Sequence, residues 1–237
     1  MTKLLSGVAR LTSGARPTLE RWRWSRYRRA FIRRTKVSAA WAGARIDLQV
    51  AKDVKIAKSA RVSFKPQSTN VLHMAWGVRI GERVLLNLTG GQIYLAELAE
   101  IRADGFVSVS GTFSMGYDAG ISWSGTIHCS QSITLERNVG FAERVTVTDS
   151  THYFTEPDVK FYRNTKPGTV VIGENCWLGA GAVITRNSRI GSHCIIAANS
   201  MVSGEIPSGH VAIGVPAKAR PMRLPWDQEK ASADAHA

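Results

Sequence analysis

A chain of 237 residues, 44% of them hydrophobic, is long enough to bury one sizeable core, and one domain with extensions is the first expectation. Its three cysteines, Cys129, Cys176 and Cys194, are odd in number and lack a CxxC spacing, which argues against a disulfide framework or a zinc cluster and suits a reducing cytoplasm. No apolar run is long enough to span a bilayer, and the formal net charge of +13 is uneven, since residues 21–36 carry eight Arg or Lys and no acid.

Residues 1–45 form a basic extension. Within RWRWSRYRRAFIRRTK, Trp24, Tyr27 and Phe31 fall at i, i+3 and i+7, one face of a predicted helix, with arginines over most of the rest. Two readings stand side by side. In one, the helix lies on an anionic membrane through residues 21–36, at the inner face of a cytoplasmic membrane. In the other, it caps the end of the following domain with its aromatics while its arginines stay solvated. Contact with nucleic acid has the charge but no accompanying recognition motif, and no specific nucleic acid is expected.

From about residue 46 to 223 a six-residue period organises the chain. Aliphatic residues fall at Ile172, Leu178, Ile184, Ile190, Ile196 and Val202, and small residues sit four places later at Cys176, Ala182, Ser188, Cys194 and Ser200. Upstream the phase recurs in blocks: Val50, Ile56 and Val62; Ile80 and Leu86; Leu95, Ile101, Val107 and Phe113; then Ile121, Ile127, Ile133, Val139 and Val145. A helix would need apolar residues at i, i+3, i+4 and i+7, and this order is not kept. Period six suits a short inward-facing strand followed by a corner, three of which close one coil of a triangular prism. Cys176 and Cys194, eighteen residues apart, then occupy equivalent corners of successive coils as small core residues. Breaks in phase between Leu86 and Leu95, between Phe113 and Ile121, and between Val145 and Ile172 are expected to be loops pushed out of the prism. Residues 224–237 read as a polar, flexible tail.

The stretch VVIGENCWLGAGAVITRNSRIGSHCIIAANSMVSGEIPSGHVAIGVPAKARPMR resembles the C-terminal half of the hexapeptide-repeat O-acetyltransferases, the family of galactoside, maltose, nodulation-factor and polysaccharide acetyltransferases. Upstream, ITLERNVGFAERVTVTDSTHYF is similar to the segment in which two repeats run into a polar turn ending in that family's catalytic histidine, the place of His152. The resemblance implies an all-β fold, a left-handed parallel β-helix, assembled as a homotrimer with acyl-CoA bound between prisms. It also implies transfer of an acetyl or other acyl group from acetyl-CoA to a hydroxyl of a sugar or glycan acceptor.

A hydroxyl is a feeble nucleophile near neutrality, and a neutral imidazole within hydrogen-bond reach can remove its proton as the new bond forms. On the resemblance, His152 is that base, with Asp149 or Glu143 as the carboxylate that orients it. The family's donor-binding places correspond to Ala180 and Ala198, whose amides would hold the pantetheine, and to Ser203 and Gly204, where a common Thr-Lys pair is replaced. The lysine is absent there, so the phosphate contact falls to Lys218 in the VPAK turn and to Arg220 or Arg223. Trp177 either shapes the cofactor cleft or covers a coil. No metal is expected: His73, His128, His193 and His210 show no ligand spacing. A metal-dependent hydratase on the same fold would need a HxxxxH pair that this chain lacks. A non-catalytic scaffold is the competing reading, supported by Gly204. Acceptor choice is expected to rest on the loops Ser114–Ser124 and Tyr153–Gly168.

Overall fold

A computed structural model describes residues 16–157 and 164–222. Helix α1, Arg16–Trp41, leads into a parallel β-helix of three walls. The first wall starts at Arg45–Val50 and ends at Glu205–Ile206, and the third runs from Arg61–Phe64 to Met201–Val202. The second wall stacks Lys55–Ile56, Arg79–Ile80, Glu100–Ile101, Gly120–Ile121, Gly140–Phe141, Trp177–Leu178, Ile195–Ile196 and His210–Ile213, and Lys218–Pro221 closes it antiparallel. Its architecture is a left-handed parallel β-helix.

The interior is a continuous aliphatic column. Ile121, Ile127 and Ile133 are buried on successive walls, as are Leu178, Ile184 and Ile190 further along, and coil-on-coil backbone hydrogen bonds satisfy the strands around them. The sharp corners use left-handed backbone. Of the twelve non-glycine residues with positive φ among those described, six are Asn or Asp, the side chains that tolerate that region best; Asn138, Asn175, Asn187 and Asn199 are among them.

The coil is not uniform. Thr112 pairs with Ser132, a 20-residue step, whereas Val171 pairs with Arg189, a step of 18, and Arg189 with Glu205, a step of 16. The longer coils contain four-residue strands that bury two side chains each, such as Ile93 with Leu95 and Phe113 with Met115. This corrects two sequence expectations. The breaks between Leu86 and Leu95 and between Phe113 and Ile121 are strands and corners of wider coils, so Ser114–Ser124 is part of the prism and not a loop. Val139 and Val145 likewise occupy corner places, in register with Cys176 and Ala182, while Phe141 and Val147 face inward from the strands. A wider coil accepts valine where a narrow one needs a small residue. The break between Val145 and Ile172 does hold an extruded segment.

Helix α1 lies across the open end of the prism and packs on one strand of each wall, Arg45–Val50, Lys55–Ile56 and Arg61–Phe64. Phe31 is 1% exposed within the core, Thr35 and Ala39 are buried beside it, and Trp24 meets Tyr27 edge to face. The first coil has no coil above it to receive its carbonyls. Arg28 donates to the carbonyls of Val50 and Ala51, Arg34 to those of Lys58 and Ala60, and Ser38 to that of Val62. The capping arrangement is therefore the one adopted, with the added finding that two arginines are not merely solvated but close the β-helix end.

Candidate active site

The extruded segment leaves the corner between the third and first walls. Ser150–His152 pairs antiparallel with Thr165–Pro167, with His152 opposite Thr165, and this two-stranded arm carries the imidazole out to the solvent-facing surface. Phe154 just beyond is 72% exposed. Residues 158–163, within the predicted specificity loop, lie outside the described residues.

The arm is fixed at its root by Asp149. That carboxylate is fully buried; Ser130 N–H donates to Oδ1 at 2.7 Å, and Gln131 and Ser132 donate to Oδ2 at 2.7 and 2.8 Å. Ser130 and Ser150 hydroxyls meet at 3.1 Å beside it. Both Asp149 oxygens are thus taken up by the backbone of the coil above, a structural role that sequence spacing did not reveal. Glu143, the other predicted orienting carboxylate, sits at the corner between the second and third walls and lines a groove there.

That groove runs along the second wall. Glu100, Gly120, Gly140, Trp177 and Ile195 follow one another in register on its outer surface. Gly120 and Gly140 leave a trough two strands deep, about 10 Å at the usual strand spacing. The Trp177 indole, half-exposed, folds against Gly140, where an added Cβ would lie 2.9 Å from the ring. At the upper end Glu100 is held by Arg79 and Arg102, and Arg102 also lies 4.8 Å over the Trp123 ring. Asn138 and Asn175 form one rim and Glu143 the other. An aromatic platform rimmed by amides, carboxylates and a guanidinium can stack on one face of a sugar ring and hydrogen-bond its hydroxyls. Sequence reading missed this trough; its signal was a glycine at the first strand place of two consecutive coils, in DAGI and NVGF.

The other predicted residues fall on three parts of the prism. Ala180 and Ala198 stack at the corner between the second and third walls, where Asn199 N–H donates to the Ala180 carbonyl at 2.9 Å. Coils approach so closely here that a Cβ on Gly179 would lie 2.5 Å from Ala198 N. Ser203 and Gly204 turn the corner between the third and first walls, two coils along from the root of the His152 arm. Lys218 and Arg220 are exposed on the closing strand of the second wall, three strands beyond Trp177. Arg223 lies outside the described residues. One chain therefore groups Trp177, Ala180 and Ala198 along one face, and puts His152 at the opposite corner.

The other histidines among the described residues are engaged elsewhere: His73 with Asp47 at 2.8 Å, His193 with Asn175 at 3.0 Å, His210 with the Ser208 carbonyl at 2.9 Å, and His128 edge-on to Phe106. Cys176 and Cys194 are buried on successive coils, and Cys194 N–H donates to Cys176 Sγ at 3.3 Å. The Cys194 side chain and burial push the Cys176 thiol up.

Residues 169–204 match the family described as bacterial transferase hexapeptide (six repeats). Residues 169–204 thus carry the hexapeptide repeat of that family, in the narrower coils of the β-helix. The chain is 35% identical over 96 residues to the putative lipopolysaccharide biosynthesis O-acetyl transferase WbbJ of Escherichia coli, covering 37% of this chain and 49% of that protein. It is 37% identical over 84 residues to a galactoside O-acetyltransferase of Lactococcus lactis, covering 35% of this chain and 40% of that one. The chain thus spans half or less of the length of these two relatives. In fold it is similar to AntD, an N-acyltransferase from Bacillus cereus solved in complex with dTDP and 3-hydroxybutyryl-CoA, with a TM-score of 0.51 and 20% identity over 80% of this chain and 90% of that one.

Proposed function

We propose that this protein is an acyl-CoA-dependent O-acyltransferase that moves an acetyl group from acetyl-CoA to a hydroxyl of a sugar or glycan, with His152 as general base. A neutral ring nitrogen takes the hydroxyl proton as the oxygen attacks the thioester carbon. The C–S bond then breaks, and the imidazolium returns its proton to the departing thiolate. The observation that carries this reading is a histidine held on an exposed two-stranded arm, directly before coils that share their repeat with O-acetyltransferases.

The site is completed between copies of the chain. His152 and the Trp177 groove lie on opposite sides of one prism, and exposed aromatics mark both: Tyr153 and Phe154 on the arm, Trp123 and Trp177 at the groove. Two different surfaces that suit each other build a head-to-tail interface, which closes into a ring, and a homotrimer is the ring we infer. The donor then lies along the corner of Ala180 and Ala198, with Lys218 and Arg220 as the cations for its phosphates and Ser203 and Gly204 contributed from the His152 side. The acceptor occupies the Gly120–Gly140 trough beside Trp177. A cytoplasmic place at the inner face of the membrane suits acceptors carried on lipid.

The test is thiol release from acetyl-CoA with a panel of glycan acceptors. His152→Ala is expected to lower turnover by about 10²- to 10⁴-fold while the assembly stays intact. Thiol release that is absent in the unaltered protein across the panel, together with no binding of acetyl-CoA, favours the scaffold reading that the missing lysine at Gly204 supports.

A further inference from the structure

The charge of this molecule is concentrated at one end. Residues 16–68, which form α1 and the first coil, hold fifteen Lys or Arg against three Asp or Glu, a net +12; residues 69–237 hold fourteen against fifteen. Nearly the whole excess of +13 therefore sits where α1 closes the prism.

We propose that this end is a docking surface for an anionic lipid bilayer, with α1 lying flat between the β-helix and the headgroups. The inference does not depend on the acyl-transfer reading. Arg28 and Arg34 face the β-helix and are bonded to it, whereas Arg29, Arg33 and Lys36, at i, i+4 and i+7, are exposed on another face of the helix, and Arg23 is exposed at its flank, over the Trp24 ring and beside Lys58 and Glu82. Lys52, Lys55, Lys58, Arg61 and Lys65 add exposed cations from the coil beneath. At the C-terminal end of the same helix Trp41 is 88% exposed and Val37 is 50% exposed, an indole and an aliphatic group at the edge of a basic surface. That pairing matches the boundary between headgroups and acyl chains, where tryptophan is favoured and cations meet lipid phosphates.

The arrangement also favours lipid over nucleic acid. Strand binding would use aromatics interleaved with the outward cations as stacking platforms. Among the described side chains, the interleaved aromatics Trp24, Tyr27 and Phe31 turn toward the β-helix, and Phe31 is sealed in its core. The membrane face is thus the arginine side of the helix, opposite to the aromatic stripe that the sequence pattern points to.

The test is sedimentation of the full chain with vesicles of phosphatidylcholine alone or of phosphatidylcholine with phosphatidylglycerol, at about 0.1 M salt, where screening extends over about 10 Å. Binding is expected only with the anionic vesicles, and high salt should release it. The double variant Arg29→Glu/Arg33→Glu should bind more than about tenfold less with an unchanged melting temperature, because both side chains are exposed and neither hydrogen-bonds to the β-helix. Trp41→Ala should weaken binding by a smaller factor. No binding to anionic vesicles, equal binding to neutral ones, or an unaffected double variant overturns the proposal, as does duplex DNA that strips the protein from vesicles at stoichiometric amounts.

Discussion

Asp149 and Cys129 are neighbours at the root of the His152 arm, and both testify to burial without exposure to solvent. Asp149→Ala removes the acceptor for three backbone N–H groups at once, and an unsatisfied buried donor costs about 1–3 kcal/mol. A loss of about 3 kcal/mol or more in urea unfolding is expected, together with a loosened His152 arm. Burial, and after it the Asp149 charge, push the Cys129 thiol up to about 12 from an ordinary value of 9.0. Above the unfolded value the unfolded chain gives up its thiol proton while the folded chain keeps it, so stability falls as pH rises from about 9 to 12. Cys129→Ala should show a shallower alkaline decline than the unaltered protein, read by melting temperature against pH. An identical decline in both would contradict this account of the thiol.

The wall strands and the cap were not equally readable. Period six in Ile172–Val202 is strict because two-residue strands bury one side chain each, and it named the column residues of that half correctly. Toward the N-terminus four-residue strands bury two, so the same period drifts from one inward place to the next and misassigns Val139 and Val145. The face that α1 turns inward was legible from Trp24, Tyr27 and Phe31, but the partner was not, since an amphipathic stripe is the same whether it meets lipid or protein. Phe31→Ala should therefore destabilise the β-helix by about 3–5 kcal/mol, measured by denaturant unfolding. Ala182→Leu should cost about 1–3 kcal/mol by overpacking a corner of a narrow coil, since Ala182 is fully buried. At the trough, a Cβ on Gly120 meets nothing within 4 Å, so Gly120→Phe should fold normally and fill the place proposed for the acceptor. Its expected signature is a melting temperature close to the original with glycan-dependent thiol release lost.

At the scale of the whole molecule, the β-helix is a spine that separates its surfaces by direction: a basic cap at one end, an arm with His152 at one corner, and a trough beside Trp177 on the opposite wall. His152 was legible because the residues around it resemble a known segment; the trough was not, because it is made by the absence of two side chains, Gly120 and Gly140, and appears only when coils are stacked. Acetyl-CoA should raise the melting temperature of the protein, since a ligand bound only to the folded state stabilises it by mass action. The most direct test of a site shared between copies is subunit complementation. His152→Ala and Gly120→Phe proteins, each inactive alone, are unfolded together, refolded as mixed assemblies and assayed for thiol release. Mixed rings place an intact His152 arm against an intact trough at roughly a quarter of their interfaces, so recovery of roughly a quarter of the original activity is predicted. Mixed assemblies as inactive as their parents would contradict the shared site.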